Sequence, residues 1–532
     1  MAASRWLLWL LLSPVTLCAQ VNRYFVQFKD KAGTVYSVNN PSQFLSQKSI
    51  ERRARENFVV TSEDFPVNSS YVAQVKATGA SVFYSSRWFN GVLIQANASV
   101  VPAVAGLPCV SSVQLVAPGA KLVGGRTQTK QKFERALSGT SAPNFPQLQM
   151  IGVDQMQQQG YHGEGMDVAV FDGGFIGVNT LSAFQTIYTE SRLKETFNFV
   201  KNTADVYSDD THGEEVLSVM AGVSGSYLGG AYKANFYLYE TEDVTTEYKV
   251  EEYNWLLAAE RADSIGVSVI SSSLGYSTFD DPSMNYSLSD LNGKTSVISR
   301  AARAAALRGM VVVNAAGNFY DASWPKILFP ADAEGILACA SVDGNSIWST
   351  FSLVGPTADG RIKPDVAAMG SGTAVISSSG SLAGQYGTSF STPLVASLAV
   401  GLRQALPNAS AGEIYSRVIN SASLSENPNY QLGYGIPNFS KALTLTSFQE
   451  AFQLYPNPIS KEVKIVFKNP DGVNFSFDLY DSGGQKVLEL KDVVTWQNNP
   501  YPIDVSAVAA GVYYARVSTP QYTETVRLVR IN

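Results

Sequence analysis

The sequence predicts an α/β protein in which a domain with a parallel β-sheet is preceded by a small α+β domain and followed by a β-sandwich tail. From residue 146 to 447, short apolar segments alternate with amphipathic ones. Fully apolar strands separated by helices indicate a parallel sheet covered on both faces. From 448 to 532, short alternating segments are separated by turn residues, which is typical of an antiparallel sandwich.

Length and composition describe a chain of several folded domains. The chain has 532 residues, of which 45% are hydrophobic and 16% charged, so it can bury a sizeable core. Its net charge of −6 argues against a nucleic-acid partner, because a phosphate backbone is bound by basic surfaces. Cys109 and Cys339 are the cysteines that follow the leader segment and are too few for a disulfide framework. Two histidines and no CxxC pair give no basis for a zinc site.

Residues 1–19 have the organisation of a signal peptide. Arg5 precedes an apolar run over 6–12, and small residues stand before Gln20. The run is too short to span a bilayer. A lipid anchor on Cys18 is the weaker alternative, because the preceding residue is a large leucine. We expect the chain to be exported.

The N-terminal domain is predicted to span residues 20–116. Within it, 24–28 alternates like a strand, and 42–55 is typical of a basic helix with Ser42 as its N-cap. Residues 117–145 contain glycine, lysine, arginine and glutamine and lack an apolar period. We interpret them as a linker with a processing site, because proteases cut exposed segments.

Polar residues follow several predicted strands of the central domain, which spans 146–447. Asp172, Ser273 and Asn318 each come shortly after an apolar stretch. Ligands of parallel sheets bind beyond the carboxyl ends of the strands. We therefore expect these side chains to face one crevice.

Ser389 stands at the start of a predicted buried helix. Residues 387–402 are small or apolar, and Pro393 indicates a nearby helix start because proline has no N–H to donate. We place Thr388 or Ser389 near the N-cap, where the helix dipole favours developing negative charge, as a nucleophile requires. The alternative is a structural helix in which these hydroxyls serve only as caps.

His212 is the candidate base for such a nucleophile. The other histidine, His162, lies in a glycine-flanked loop, which we interpret as a surface turn. A serine nucleophile needs an imidazole base and an acceptor that fixes its tautomer, together with donors aimed at the attacked carbonyl. Taken singly, Asp172 is also explained as a turn residue and His212 as a structural hydrogen-bonding group.

Taken together, these segments resemble the subtilases, the family of subtilisin-like serine proteases. The candidates follow one another in the order Asp, His, Ser, which is the order of the subtilisins. The similarity extends approximately from residue 150 to 443. It rests on the segments 168–174, 211–213, 272–275, 315–318, 329–331, 359–368, 387–389, 392–393, 395–396 and 434–438.

The resemblance implies a serine endopeptidase that acts through an acyl-enzyme intermediate. In that family pattern, Asp172 orients His212, which acts as general base and then as general acid. Ser389 is the nucleophile, and Asn318 is the oxyanion-hole donor. Peptide substrate is expected to pair with the chain as an added strand. The residues expected to bind substrate are Ser273, Leu274, Gly275 and Gly317. No cofactor is expected; relatives often hold structural calcium, but no ligand set is assignable here.

The sequence departs from the family pattern at two places. Gly173 follows Asp172 where serine or threonine is usual, so a hydroxyl that could bond the carboxylate is missing. Glu214 stands where threonine is usual and is followed by Glu215. Carboxylates near an imidazole raise its pKa. We therefore predict an activity optimum shifted to higher pH.

The flanking segments also resemble known domains. Residues 20–116 are similar to a subtilase inhibitory prodomain, above all at 90–92 and 113–116. Residues 448–532 are similar to the C-terminal sorting domain of proteins exported by the type IX secretion system. For the tail, a carbohydrate-binding or plain β-sandwich appendage is the alternative.

These resemblances imply a protease made as a precursor. Its expected partners are protein or peptide substrates, its own prodomain as an intramolecular inhibitor, and the type IX secretion machinery. It would cross the inner membrane by its signal peptide and the outer membrane by its C-terminal domain, and would be secreted or reach the cell surface. The alternatives are a catalytically inactive subtilase fold used for binding and an adhesive surface protein whose β-tail carries the function.

Overall fold

The structure, a computed structural model, describes residues 21–56, 58–119, 145–319, 324–445, 452–467, 473–495, 500–519 and 523–531. The predicted signal peptide and most of the predicted linker, residues 120–144, lie outside this set. The chain divides into two compact units, Met1–Ala442 and Leu443–Asn532. Within the described residues, no helix combines the length and the apolar character needed to cross a bilayer.

A four-stranded antiparallel sheet with short helices forms the N-terminal domain, as expected for an α+β unit. The strands lie in the order β2-β3-β1-β4. Their bounds, with those of the helices, are β1 Val21–Phe28, α1 Gln47–Arg55, α2 Ser69–Ala77, β2 Ser81–Ser86, β3 Gly91–Asn97, α3 Val101–Ala105 and β4 Val110–Ala117. Short 3-10 turns add Pro41–Gln43, Ser62–Asp64 and Ala98–Val100.

The basic helix predicted over residues 42–55 begins later than expected. Helix α1 starts after Ser46, whose Oγ accepts a hydrogen bond from the backbone N–H of Ser49 at 3.2 Å. Ser42 instead donates to the side chain of Asn40 at 2.7 Å. Either serine satisfies the local rule for a cap. The backbone N–H of Ser46 also donates to the carbonyl of Ser264 at 2.9 Å, and this distant contact anchors the helix start.

A seven-stranded sheet, parallel throughout, forms the core of the central domain and confirms the predicted α/β class. The elements up to its middle are α4 Pro146–Met150, α5 Val153–Gln158, β5 Asp167–Asp172, α6 Gln185–Thr189, β6 Leu193–Asn198, α7 His212–Ala221, β7 Val223–Ser224, β8 Tyr227–Leu228, β9 Asn235–Glu240, α8 Val250–Ile265 and β10 Val269–Ser272. The remainder are α9 Val297–Leu307, β11 Val311–Ala315, β12 Leu337–Val342, β13 Val366–Met369, β14 Ser371–Ile376, β15 Leu382–Tyr386, α10 Thr388–Ala405, α11 Ala411–Ser421 and α12 Phe439–Thr444.

The strand order places a crevice at the carboxyl ends of β5 and β10. The order in the sheet is β13-β12-β11-β10-β5-β9-β6, so the chain first adds β6 and β9 on one side of β5 and then β10 to β13 on the other. In open parallel sheets this switch is where ligands bind. Asp172 is the last residue of β5, and Ser273 directly follows β10. Further 3-10 turns span Ser182–Phe184, Pro282–Met284 and Leu288–Asp290, and β14 and β15 form a separate hairpin.

Two antiparallel sheets that share one apolar core form the C-terminal unit, as predicted for a β-sandwich. The sheets have the orders β16-β17-β20 and β19-β18-β21-β22. Phe467 of the first sheet and Phe475 of the second have ring centroids 5.1 Å apart. The strand bounds are β16 Phe452–Tyr455, β17 Glu462–Phe467, β18 Val473–Asp481, β19 Lys486–Thr495, β20 Tyr501–Asp504, β21 Gly511–Ser518 and β22 Thr523–Arg530.

Helix α8 packs on the sheet through Trp255. The indole is fully buried, lies edge-on to Phe171 with 5.3 Å between ring centroids, and donates its Nε1–H to Ser272 Oγ at 3.0 Å. Burying an aromatic side chain of this size contributes several kcal/mol of stability. The indole therefore joins the helix to the strands that end at the crevice.

We expect Trp255→Ala to destabilise the first unit by about 3–5 kcal/mol, because a large cavity forms and the Ser272 hydroxyl loses its donor. Calorimetry of the full-length chain measures this as a lower midpoint for that unit. Leu307→Ala is the matched control, since Leu307 is 53% exposed and surface truncations change stability by only about 0.5 kcal/mol. Equal shifts for the two variants would contradict the assignment of Trp255 to the core.

Candidate active site

The carboxylate of Asp172 and the imidazole of His212 form a buried pair. His212 Nδ1 lies 2.8 Å from Asp172 Oδ1, and the two residues are 5% and 0% exposed. His212 is the first residue of α7, and its backbone N–H donates to Asp210 Oδ1 at 2.7 Å. The next residue must be glycine, because a Cβ at Gly213 would lie 2.4 Å from the carbonyl of Gly174. This close approach lets the helix reach the end of β5.

Ser389 lies in the first turn of α10, near the N-cap as predicted. The N-cap is Gly387, so Ser389 is the second helical residue and Pro393 lies inside the helix rather than at its start. Proline has no N–H for the carbonyl four residues earlier, which is that of Ser389. Ser273 Oγ supplies the missing donor at 2.9 Å. This hydrogen bond from the residue after β10 satisfies the carbonyl that Pro393 leaves without a donor.

The hydroxyl of Ser389 lies near the segment that follows β10. Ser389 Oγ lies 3.5 Å from the carbonyl oxygen of Ser273. The ring of His212 packs against that of Phe390, the residue after Ser389, with 5.8 Å between centroids. The structure thus brings Asp172 and His212 into hydrogen-bond contact and sets the imidazole beside the helical turn that carries Ser389.

Asn318 is held in one orientation by the residue before Ser389. Its Oδ1 accepts from the backbone N–H of Thr388 at 2.9 Å and from Thr388 Oγ1 at 3.0 Å. The Nδ2 end of the carboxamide therefore points away from Thr388. Thr388 Oγ1 also accepts from the N–H of Gly317 at 3.2 Å. The sequence predicts Thr388 only as a helix cap; the signal for its second role is a hydroxyl directly before the candidate nucleophile.

Two of the residues expected to bind substrate, Gly275 and Gly317, lie against the side chain of Leu328. A Cβ at Gly275 would lie 2.7 Å from Leu328 Cβ, and one at Gly317 would lie 2.6 Å from Leu328 Cγ. Any larger residue at either position would clash with Leu328, so both positions require glycine. Leu274 is buried, and its carbonyl accepts from Asn314 Nδ2 at 2.9 Å. The segment from Ser273 to Gly275 continues beyond the last ladder residue of β10.

Electrostatics raise the pKa of His212 above its ordinary value. Burial alone would lower this pKa, but the charge and hydrogen bond of Asp172 raise it, and Asp210 and Glu215 add to the rise. Complete burial raises the pKa of Asp172, while His212 and the N–H of Gly173 oppose that rise. Asp172 Oδ2 is buried and has no hydrogen-bond partner among the described residues, which agrees with the hydroxyl missing at Gly173.

The two glutamates after Gly213 differ in their effect on the imidazole. Glu214 is fully buried, its carboxylate oxygens have no hydrogen-bond partner in the described part of the chain, and burial with the neighbouring Glu215 raises its pKa to about 9. It is neutral at neutral pH and adds no charge. Glu215 accepts a hydrogen bond from Gln385 at 2.8 Å and acts on His212. Asp210, which the sequence analysis did not single out, supplies the second nearby charge; its signal is an aspartate two residues before a helix start.

One group of carboxylates in the described residues has a geometry that could hold a cation. The ligand atoms of Glu242, Glu247 and Glu251 lie within 4.8 Å of one another. Carboxylate oxygens suit a hard ion such as Ca²⁺. Glu242 also accepts a hydrogen bond from the hydroxyl of Tyr276. This group lies beyond the carboxyl end of β9, apart from Asp172 and His212 in the chain.

Comparison with known families divides the chain into three matched segments. Residues 23–134 match the peptidase S8 propeptide domain of Bacteroidota, residues 163–435 match the subtilase family, and residues 453–532 match the secretion system C-terminal sorting domain. The predicted prodomain, protease family and type IX sorting tail are thereby confirmed. The sorting domain indicates export to the cell surface or the medium.

Individual relatives are distant in sequence. Subtilisin DY of Bacillus licheniformis is 26% identical over 301 residues, which cover 56% of this chain and 97% of that protein. A thermostable alkaline protease of Halalkalibacterium halodurans is 23% identical over 298 residues, covering 56% and 72%. The solved MycP3 protease of a type VII secretion system is 20% identical over 62% of this chain and 97% of its own, with a TM-score of 0.47. Because the subtilase model covers just over half of the 532 residues, this chain belongs to the subtilase family.

Proposed function

We propose that the protein is a secreted serine endopeptidase that hydrolyses peptide bonds through Asp172, His212 and Ser389. The observation that carries the proposal is the buried 2.8 Å contact between Asp172 Oδ1 and His212 Nδ1, with the imidazole set beside the turn of Ser389. An imidazole held in this way has a fixed tautomer. Its Nε2 then carries the lone pair that a hydroxyl nucleophile requires.

The reaction begins when Ser389 Oγ attacks the carbonyl carbon of the substrate and its proton passes to His212 Nε2. Asp172 stabilises the imidazolium that forms. The protonated imidazole then gives its proton to the leaving amine, and an acyl-enzyme remains. Water, deprotonated by the same imidazole, attacks the acyl carbon, and the ester bond to Ser389 Oγ breaks. The imidazolium returns the proton to Ser389 Oγ, and the second product leaves as an acid.

The negative charge on the attacked oxygen is stabilised by two N–H donors. We assign these to Asn318 Nδ2 and the backbone N–H of Ser389, which lies at the positive end of α10. Thr388 holds the opposite end of the Asn318 carboxamide. The donor is therefore oriented before substrate arrives, which is the condition for effective electrostatic stabilisation. Substrate backbone pairs with the segment from Ser273 to Gly275.

The flanking domains govern when and where this activity occurs. Residues 20–116 inhibit the peptidase within the precursor, and cleavage in 117–145 begins activation. Residues 1–19 direct passage through the inner membrane, and the C-terminal domain engages the type IX machinery at the outer membrane. The matches to a propeptide domain and to a sorting domain support these roles.

We expect the processed, secreted protein to digest casein and to react covalently with a fluorophosphonate probe. Ser389→Ala should abolish labelling and reduce kcat by about 10⁶-fold, because the nucleophile is lost. Failure of the parent protein to digest casein or to bind the probe would contradict the proposal and favour an inactive binding protein. Cell adhesion that persists in Ser389→Ala would favour an adhesive role.

We expect kcat/KM to fall as the pH is lowered, because protonated His212 is not a base. The midpoint of this acid limb should lie above pH 6.5, the ordinary imidazole pKa. Glu215→Gln should move this limb to lower pH, since one carboxylate that raises the pKa of His212 is removed. Glu214→Gln is the matched control and should leave the limb in place, because Glu214 is neutral below about 9. The measurement is kcat/KM as a function of pH for the parent protein and for both variants. Equal shifts for the two variants would refute the assignment.

We expect Asn318→Asp to lower kcat by about 10²–10³-fold with little change in KM, because one oxyanion donor becomes an acceptor while shape is retained. Thr388 can still donate to the new carboxylate, so the loss is not one of packing. Steady-state kinetics on a peptide substrate provide the measurement. A variant with unchanged kcat would remove Asn318 from the mechanism.

A further inference from the structure

A buried pocket at the carboxyl end of α8 holds the side chain of Arg52 from the N-terminal domain. Arg52 Nε donates to the carbonyl of Arg308 at 2.9 Å, and Nη1 donates to the carbonyl of Val267 at 2.5 Å. Nη2 donates to the carbonyl of Asp263 at 3.2 Å and also pairs with its carboxylate. Arg52 is only 1% exposed. The central domain thus supplies three carbonyl oxygens and one carboxylate to a single guanidinium group.

The carboxylate of Asp263 binds further arginines of the N-terminal domain. Arg53 Nη2 lies 2.5 Å from its Oδ2, and Arg87 Nη2 donates to the same oxygen. Burial opposes ionisation of Asp263, but Arg87, Arg52 and Arg53 together lower its pKa below the ordinary value. A buried carboxylate is costly unless charged partners surround it. The pocket is therefore suited to cations with many donors.

Glu260, one turn earlier on α8, holds the turn between β2 and β3. Its carboxylate accepts from Ser86 Oγ at 2.6 Å, from the N–H of Arg87 at 2.9 Å and from the N–H of Trp88 at 3.1 Å. The N-terminal domain therefore contacts one face of α8 at two points, through α1 and through this turn.

The shape of the pocket rim requires a glycine. Gly266 ends α8 with a φ of +96°, a conformation that L-residues rarely adopt. A Cβ at this position would lie 2.4 Å from Lys48 Cβ and 3.0 Å from the N–H nitrogen of Ser49. Glycine thus allows α1 to approach closely enough for Arg52 to enter the pocket.

We propose that Asp263, with the main-chain carbonyls of Val267 and Arg308, forms an arginine-binding site whose ligand is Arg52 and which keeps the N-terminal domain bound after the linker is cut. The inference rests on the proposed function, since it names the surface through which the inhibitory domain acts. The site selects a planar guanidinium rather than positive charge in general. A forked set of five N–H donors reaches acceptors on two edges, whereas an ammonium group cannot.

A retention assay tests this site independently of catalysis. The full-length protein carrying Ser389→Ala and a protease recognition sequence between residues 120 and 144 is cut at that sequence. Size-exclusion chromatography then measures whether the N-terminal domain stays bound, and dilution gives its Kd. Because this background does not require activity, failure here leaves the peptidase assignment untouched, and an inactive parent protein leaves this test valid.

We expect the cut parent to retain the N-terminal domain, and Asp263→Asn to raise the Kd by at least about 30-fold, because breaking a buried charge pair leaves unpaired arginines. Arg52→Lys should have a similar effect, since lysine keeps the charge but not the fork. Arg52 belongs to the N-terminal domain, so in this variant the cut central domain keeps the parent sequence. Retention of both variants with the parent Kd would overturn the proposal.

Lys48→Ala is the matched control on the same interface. Lys48 pairs with Asp167 at 2.6 Å, but its side chain is 60% exposed, and exposed ion pairs contribute little. We expect its Kd to lie within about 5-fold of the parent value. A loss as large as that of Arg52→Lys would show that overall charge, and not the pocket, holds the domain.

Competition with small probes tests the ligand class directly. L-arginine amide should accelerate release of the N-terminal domain from the cut parent, whereas L-lysine amide at the same ionic strength should not. Equal acceleration by the two amides, or none by either, would contradict recognition of the guanidinium group.

Discussion

Buried charge governs both the pairing of Asp172 with His212 and the contact between the first two domains. A carboxylate removed from water costs several kcal/mol unless a cation or hydrogen bonds surround it. Asp172 meets this requirement with His212 and the N–H of Gly173. Asp263 meets it with arginines, among them Arg52. The same requirement thus orders the imidazole at one end of the sheet and the N-terminal domain on α8.

Helix α8 contacts these two regions through different side chains. Trp255 packs on Phe171 and reaches Ser272, so the helix is fixed to the strands that end at the crevice. Glu260 and Asp263 contact the N-terminal domain. The N-terminal domain therefore rests on an element that is itself anchored to the seven-stranded sheet.

The first turn of α10 joins the ends of two neighbouring strands around the candidate nucleophile. Pro393 removes one backbone donor from the helix, and Ser273 replaces it from the end of β10. Thr388 holds Asn318 beyond the end of β11. Two of these contacts use backbone groups of the turn that carries Ser389, namely the carbonyl of Ser389 and the N–H of Thr388. The position of the hydroxyl thus depends on the sheet edge rather than on the helix alone, which is how rigid elements preorganise a site.

Periodicity and strand-end chemistry were enough to predict the parallel sheet and the polar residues at or shortly after the ends of β5, β10 and β11, because these features depend on neighbours close in the chain. Local rules could not choose between Ser42 and Ser46 as the cap of α1, since either hydroxyl suffices; a carbonyl of α8, more than 200 residues away, made the choice. Local rules could not predict either that Glu214 and Glu215 differ in charge. Burial makes one neutral and leaves the other acting on the imidazole. Such differences arise only when distant segments exclude water or supply partners.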